Sequence, residues 1–193
     1  MRILFWSLFI LVFAWEANAG TIAGQVTILG EQDQTAVIYL EGDFKGSFQP
    51  PLRNPEILQH DQFFRPTALP VLKGTTVEFP NDDDVFHNAF SFSPSNPFDF
   101  GPYGPGREQR VLMRQPGVVE VFCDIHEHMY AYILVMDHPY FSIAKQSGYK
   151  ISGIPEGTYR IKAFLNPDTV VSQTVEVTAD SKTEIDFSLG AAQ

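Results

Sequence analysis

Val121-Phe122-Cys123-Asp124-Ile125-His126-Glu127-His128-Met129 is the stretch on which the fold and the chemistry of this chain turn. It carries the only cysteine out of an apolar, strand-like run, with a histidine three residues on and a methionine three beyond that. Upstream, Asn81-Asp82-Asp83-Asp84-Val85-Phe86-His87-Asn88 sets another histidine just after a strand-like run and a polar turn. Cys123 follows His87 by 36 positions, room for two or three strands to return the chain to the same end of a sandwich. Singly, these residues have plain readings. A cysteine at a strand end is a small buried hydrophobe, His126 and His128 are loop residues, and Met129 is core. Jointly, two imidazoles, one thiolate and one thioether form a soft N/S donor set. Such a set suits copper, with two histidines and the cysteine in a plane and methionine as a weak axial ligand.

Outward from this segment almost every ordered-looking stretch reads as strand. Residues 21–28 alternate, and residues 35–40 form a short β-branched and apolar run. Residues 41–59, with Gly42, Gly46, Pro50, Pro51, Asn54 and Pro55, read as a linker or long loop. Residues 63–72 follow, with Pro66 and Pro70 predicting an edge strand. Then come 75–79 after a turn at Lys73-Gly74, and 88–92 after the polar turn at 81–84. The Pro/Gly-rich stretch 93–106 reads as irregular. Strands are expected at 109–113, 118–123 and 130–136, and three or four more in the last fifty residues, at 149–151, 158–164, 170–177 and 183–189. Gly153-Ile154-Pro155-Glu156-Gly157 and Asn166-Pro167-Asp168 punctuate these. About ten short strands with regular turn signals and no amphipathic helix predict an all-β chain of sandwich architecture. The length favours two packed β domains.

Composition narrows the classes of function. The 193 residues are 44% hydrophobic and 19% charged, ample for a packed core and unlike a disordered chain. Twenty-three acidic against 13 basic residues give a formal charge of −10, which argues against nucleic-acid binding. A single cysteine excludes an intramolecular disulfide framework and multi-cysteine zinc or iron–sulfur sites. The start of the chain has Arg2, an apolar run from Ile3 to Ala14 and the Ala17-Asn18-Ala19 site, the layout of a secretory signal peptide over residues 1–19. The run is short for a membrane span. Cleavage after Ala19 predicts an exported, periplasmic protein with no membrane span in its mature part.

Cys123-x₂-His126-x₂-Met129 resembles the ligand loop of the cupredoxins, with the spacing of the amicyanins rather than the longer plastocyanin loop. Phe63-x-x-Pro66, Val71-x-x-Gly74-x-x-Val77-x-Phe79-x-Asn81 and His87-Asn88 resemble the cupredoxin approach to the first histidine. Phe98-Asp99-Phe100-Gly101, Pro116-Gly117-Val118-Val119 and Pro139-Tyr140-Phe141 extend the likeness to plastocyanin-like proteins of the methylamine-utilisation kind. Gly20-Thr21-Ile22-Ala23-Gly24-Gln25-Val26, residues 36–42 and Ile154-Pro155-x-Gly157-x-Tyr159 are similar to a carboxypeptidase-regulatory-like, transthyretin-type sandwich, with no peptidase motif such as His-Glu-x-x-His.

These resemblances imply a Greek-key copper domain over 59–141. They imply that it is inserted into a second transthyretin/Ig-like sandwich made of 20–45 and 142–190. They also imply one type 1 copper site cycling between Cu(I) and Cu(II). His87, Cys123 and His126 would be the equatorial ligands and Met129 the axial one. Asn88 would brace the loop, and His128 and Glu127 inside the loop depart from the simplest pattern. The function so implied is electron transfer between periplasmic redox partners rather than catalysis. The charge of −10, with Asp82, Asp83, Asp84, Asp124 and Glu127 near the ligands in sequence, points to a basic partner such as a cytochrome or an oxidoreductase. A copper-delivery protein and a β-sandwich binding module with a vestigial site are the other readings.

Overall fold

A computed structural model describes residues 19–30, 34–144 and 148–190. The predicted signal peptide falls, apart from Ala19, outside these residues. Among the described residues there are eighteen strands and no helix, so the chain is all-β. Among the described residues no helix is long and apolar enough to cross a membrane. In chain order the first strands are β1 (Ala19–Gly24), β2 (Val26–Ile28), β3 (Val37–Glu41), β4 (Leu58–His60), β5 (Phe63–Arg65) and β6 (Ala68–Leu72). Next come β7 (Thr76–Pro80), β8 (Phe90–Ser91), β9 (Phe98–Asp99), β10 (Glu108–Leu112), β11 (Gly117–Phe122) and β12 (Tyr130–Met136). The last are β13 (Phe141–Ile143), β14 (Tyr149–Pro155), β15 (Gly157–Asn166), β16 (Thr169–Val177), β17 (Lys182–Glu184) and β18 (Phe187–Leu189).

The middle of the chain wraps one hydrophobic cluster. A five-stranded sheet in the order β6-β12-β11-β8-β9 faces the pair β10-β7 and the hairpin β4-β5. Alternation explains the packing: in β7 Val77 and Phe79 are buried while Thr76 and Glu78 are less so. Phe64, Phe79, Met113, Val121 and Ile133 lie in this cluster, and Cys123 and Met129 lie at its edge in sequence, where β11 gives way to the loop before β12. Full burial of each large apolar side chain contributes about 1.5–3 kcal/mol. Pro70 sits in β6, an edge strand of its sheet, as the prolines predict. Gly74 has φ +88°, the left-handed turn expected at Lys73-Gly74 before β7.

The two ends of the chain build a second cluster from Ile22, Ile38, Leu40, Ile151, Ile161 and Val175. Its strands form the sheets β14-β1-β17 and β13-β3-β15-β16 and the pair β18-β2. The N-terminal strands β1 and β2 thus pair with the C-terminal strands β17 and β18, both in parallel. Gly24 is required there, since a Cβ would lie 1.8 Å from the Ile185 carbonyl oxygen. A small third cluster of Val37, Ala68, Leu134 and Phe164 joins residues of both regions.

The stretches 21–28, 63–72 and 183–189, each expected as one strand, are each broken into two, and three further strands fall where none was expected. β4 lies partly in the stretch 41–59 read as linker, β9 interrupts the stretch 93–106 read as irregular, and β13 was not anticipated. Each has only two or three residues, too few for a period of two to stand out. The expected turn at 153–157 shrinks to Glu156, because β14 runs through Pro155 and β15 begins at Gly157.

Candidate metal centre

Two loops at the same end of the first cluster meet at this site. One follows β7 and carries Asn81 to Asn88; the other joins β11 to β12 and carries Cys123 to Met129. Asn81, buried at the end of β7, organises the first loop. Its Nδ2 donates to the carbonyls of Val85 (2.9 Å) and Tyr103 (3.2 Å), and its Oδ1 accepts from the Asp83 N–H (3.0 Å). His87 then exchanges two backbone hydrogen bonds with Tyr103, at 3.1 and 2.7 Å, which fix its Cα below the surface. The second loop closes on itself: the Cys123 N–H donates to the Met129 carbonyl (3.2 Å) and the Met129 N–H to the His126 carbonyl (2.9 Å). Asn88 ties the loops together, its Oδ1 accepting from the Asp124 N–H at 3.0 Å.

These constraints bring His87, Cys123 and His126 together. Each offers one donor atom, and the three atoms lie within 4.8 Å of one another. The Nδ1 atoms of His87 and His126 are 3.1 Å apart, a separation that two nitrogens at about 2.0–2.1 Å from one ion can span. His87 is fully buried, Cys123 is 4% exposed and Met129 is fully buried, whereas His126 is half-buried. The donor chemistry therefore fits a soft or borderline transition metal. His128 is exposed, and its ring meets that of Phe63 with centroids 5.2 Å apart. It takes no part in the group of three donors.

Electrostatics favour neutral nitrogen donors here. Desolvation, with His87 and His128 nearby, pushes the His126 imidazole below its ordinary value. Asp83, which sequence reasoning treated as one of three turn carboxylates, turns inward instead: its Oδ2 is 2.6 Å from the Nε2 of His87. Desolvation would raise its carboxyl. The Gln62 N–H, the His87 ring and the Asp61 N–H together outweigh that and hold it below the usual carboxylate range. The one signal that could have found this residue is its spacing, four positions before His87.

The two loops and the β4–β5 hairpin carry both apolar and acidic exposed side chains. Phe63, Phe86 and Ile125 are exposed beside residues of the two loops, and so are Asp82, Asp84, Asp124 and Glu127. Met129 has no exposed surface.

No protein-family model matches the chain, and no curated protein matches it either. Among solved structures it is similar to part of a copper-containing nitrite reductase of Thermus scotoductus SA-01, at 28% identity and a TM-score of 0.42. That match covers 45% of this chain and spans 23% of the reductase. A purple cupredoxin of Nitrosopumilus maritimus matches at 24% identity over 43% of this chain and 100% of its own, with a TM-score of 0.39. A substituted amicyanin in its Cu(I) form matches at 14% identity over 43% of this chain and 82% of its own, with a TM-score of 0.41.

Proposed function

We propose that this chain is an exported, periplasmic cupredoxin that carries single electrons through one type 1 copper site. In this reading His87, Cys123 and His126 hold the metal in a plane and Met129 is the weak axial ligand. One observation carries it: two histidines and the only cysteine present donor atoms within 4.8 Å of one another, on two loops cross-braced by Asn88. Bound copper would supply one-electron chemistry between Cu(I) and Cu(II).

The chain's own part is to hold the donors still and exclude water. Burial of His87, Cys123 and Met129 keeps solvent from these side chains, and the Cys123–Met129 and His126–Met129 backbone hydrogen bonds fix the loop. His126, the half-buried member of the donor group, is the edge through which an electron would pass. The exposed carboxylates of Asp82, Asp84, Asp124 and Glu127 favour a basic redox partner, such as a basic cytochrome or an oxidoreductase, by steering its approach. Stopped-flow electron transfer with a basic and an acidic redox protein tests that steering. The basic partner should react faster at low salt, and its advantage should shrink as the screening length falls to about 8 Å at physiological ionic strength.

Metal analysis and the visible spectrum of the protein purified from the periplasm test the reading as a whole. One copper per chain, with a strong thiolate charge-transfer band on oxidation, supports it. Reversible Cu(I) binding without that band favours copper delivery, and absence of bound metal favours a binding module with a vestigial site.

A further inference from the structure

The carboxylate of Asp83 is held by a strained hairpin tip. β4 and β5 turn through Asp61 and Gln62, whose φ angles are +54° and +59°, values non-glycine residues rarely adopt. Both backbone N–H groups aim at one side chain: Asp61 N–H donates to Asp83 Oδ1 at 2.7 Å and Gln62 N–H to Asp83 Oδ2 at 2.9 Å. The third donor is the buried His87, with Nε2 2.6 Å from Oδ2. A carboxylate has only acceptors, so it satisfies all three, and the His87 proton must then sit on Nε2. That leaves His87 Nδ1, the atom 3.1 Å from His126 Nδ1, free to donate its lone pair to a metal.

We propose that Asp83 is the positioning residue of the metal centre, and that the β4–β5 hairpin tip is the clamp that aims it. This rests on the metal reading above and deepens it. An outer carboxylate on a ligating imidazole fixes its tautomer and raises its basicity, and loss of such a partner costs about 10–100-fold in metal affinity. The added negative charge on the imidazole favours Cu(II) over Cu(I). An amide at position 83 cannot substitute. With three donors facing it, its NH₂ group always opposes one of them, either a backbone N–H or His87. Facing His87, the NH₂ would draw the ring proton onto Nδ1 and block the donor atom.

The test has a metal-free and a metal-loaded arm. In the apo wild-type chain, long-range ¹⁵N–¹H NMR of the imidazoles should show His87 protonated at Nε2, with a slowly exchanging proton. A His87 protonated at Nδ1 alone would overturn the proposal without any variant. With copper, Asp83→Asn should lose at least about tenfold in Cu(II) affinity relative to Cu(I). A tenfold change reads as a rise in potential of about 59 mV. Asp84→Asn, which removes the same charge one residue away from an exposed position, should change either quantity less than about twofold.

Equal effects of Asp83→Asn and Asp84→Asn would reduce Asp83 to a general surface charge and overturn the proposal. A wild-type chain that fails to bind copper would overturn the metal reading itself, while the apo tautomer still judges whether Asp83 aims His87.

Discussion

The two hydrophobic clusters are made alike and end differently. Both bury Val, Ile and aromatic side chains between short strands, and Phe79 in one is as completely enclosed as Ile161 in the other. At one end of the first cluster, the loops after β7 and β11 bring a buried His and a buried Cys close to a half-buried His. The second cluster presents no comparable set of donors among the described residues; its buried histidine, His138, packs instead against Phe44 and Tyr140 with ring centroids 4.5 and 5.7 Å apart. The contrast shows that sandwich packing by itself confers no chemistry. The chemistry comes from what the strand-end loops carry and how they are braced.

The largest expected effects come from cutting into either core. Phe79→Ala should cost about 3–5 kcal/mol and Ile161→Ala about 2–5 kcal/mol, read as lowered midpoints in thermal denaturation. If the regions are separate domains over 59–141 and over 20–45 with 142–190, calorimetry should resolve two transitions. Ile161→Ala should then lower one of them and leave copper binding untouched. Loss of copper binding in folded Ile161→Ala would break the contrast between the regions.

Within the metal end, His126→Ala and His128→Ala separate donor from bystander. Removing His126 should weaken copper binding by more than the roughly 10–100-fold that an outer hydrogen-bond partner is worth. His128→Ala should leave affinity and spectrum nearly unchanged, because its ring lies against Phe63. Competition titration against a copper chelator reads both. A reversal would move the ligand role to His128.

How much of this was legible in the sequence follows from the length of the signals. Residues 130–136 are an unbroken apolar and aromatic run of strand length, and β12 occupies Tyr130–Met136. β9 and β13, at two and three residues, were too short to announce themselves. The pairing of Cys123 with His126 in one donor group was legible because the residue types are rare and close in sequence: the only cysteine, with a histidine three positions on. Asp83 was hidden in Asp82-Asp83-Asp84, a run that reads as a solvated turn. Only folding shows which of the three carboxylates the Asp61–Gln62 tip receives. The hydrogen bond from the Asp124 N–H to Asn88 was likewise out of reach, since it joins loops 36 residues apart.

Smaller effects sharpen the comparison. Asn88→Ala deletes that cross-brace and should cost about 0.5–1.5 kcal/mol, with faster copper loss to a chelator and no change in the second region's transition. Against the second cluster, where it packs on Phe44 and Tyr140, His138 supplies a pH dependence. Burial lowers its imidazole below the ordinary value, with Asp137 and the Leu40 backbone pulling the other way. The unfolded chain takes up this proton more readily, so the His138 contribution is complete above about pH 6.5 and is lost as pH falls through and below that value. Chemical denaturation of the apo protein from pH 7.5 to 5 should show the decline. His138→Asn, which retains an acceptor for the Tyr140 N–H, should remove that part of it.

The most direct measurement is the visible absorption of Cu(II)-loaded wild type beside Cys123→Ser. A short bond from the Cys123 thiolate to Cu(II) gives an intense charge-transfer band that serine oxygen cannot supply. Wild type should therefore be strongly coloured with one copper per chain, and folded Cys123→Ser should be colourless. An equally intense band in the serine variant would remove Cys123 from the centre and contradict the account.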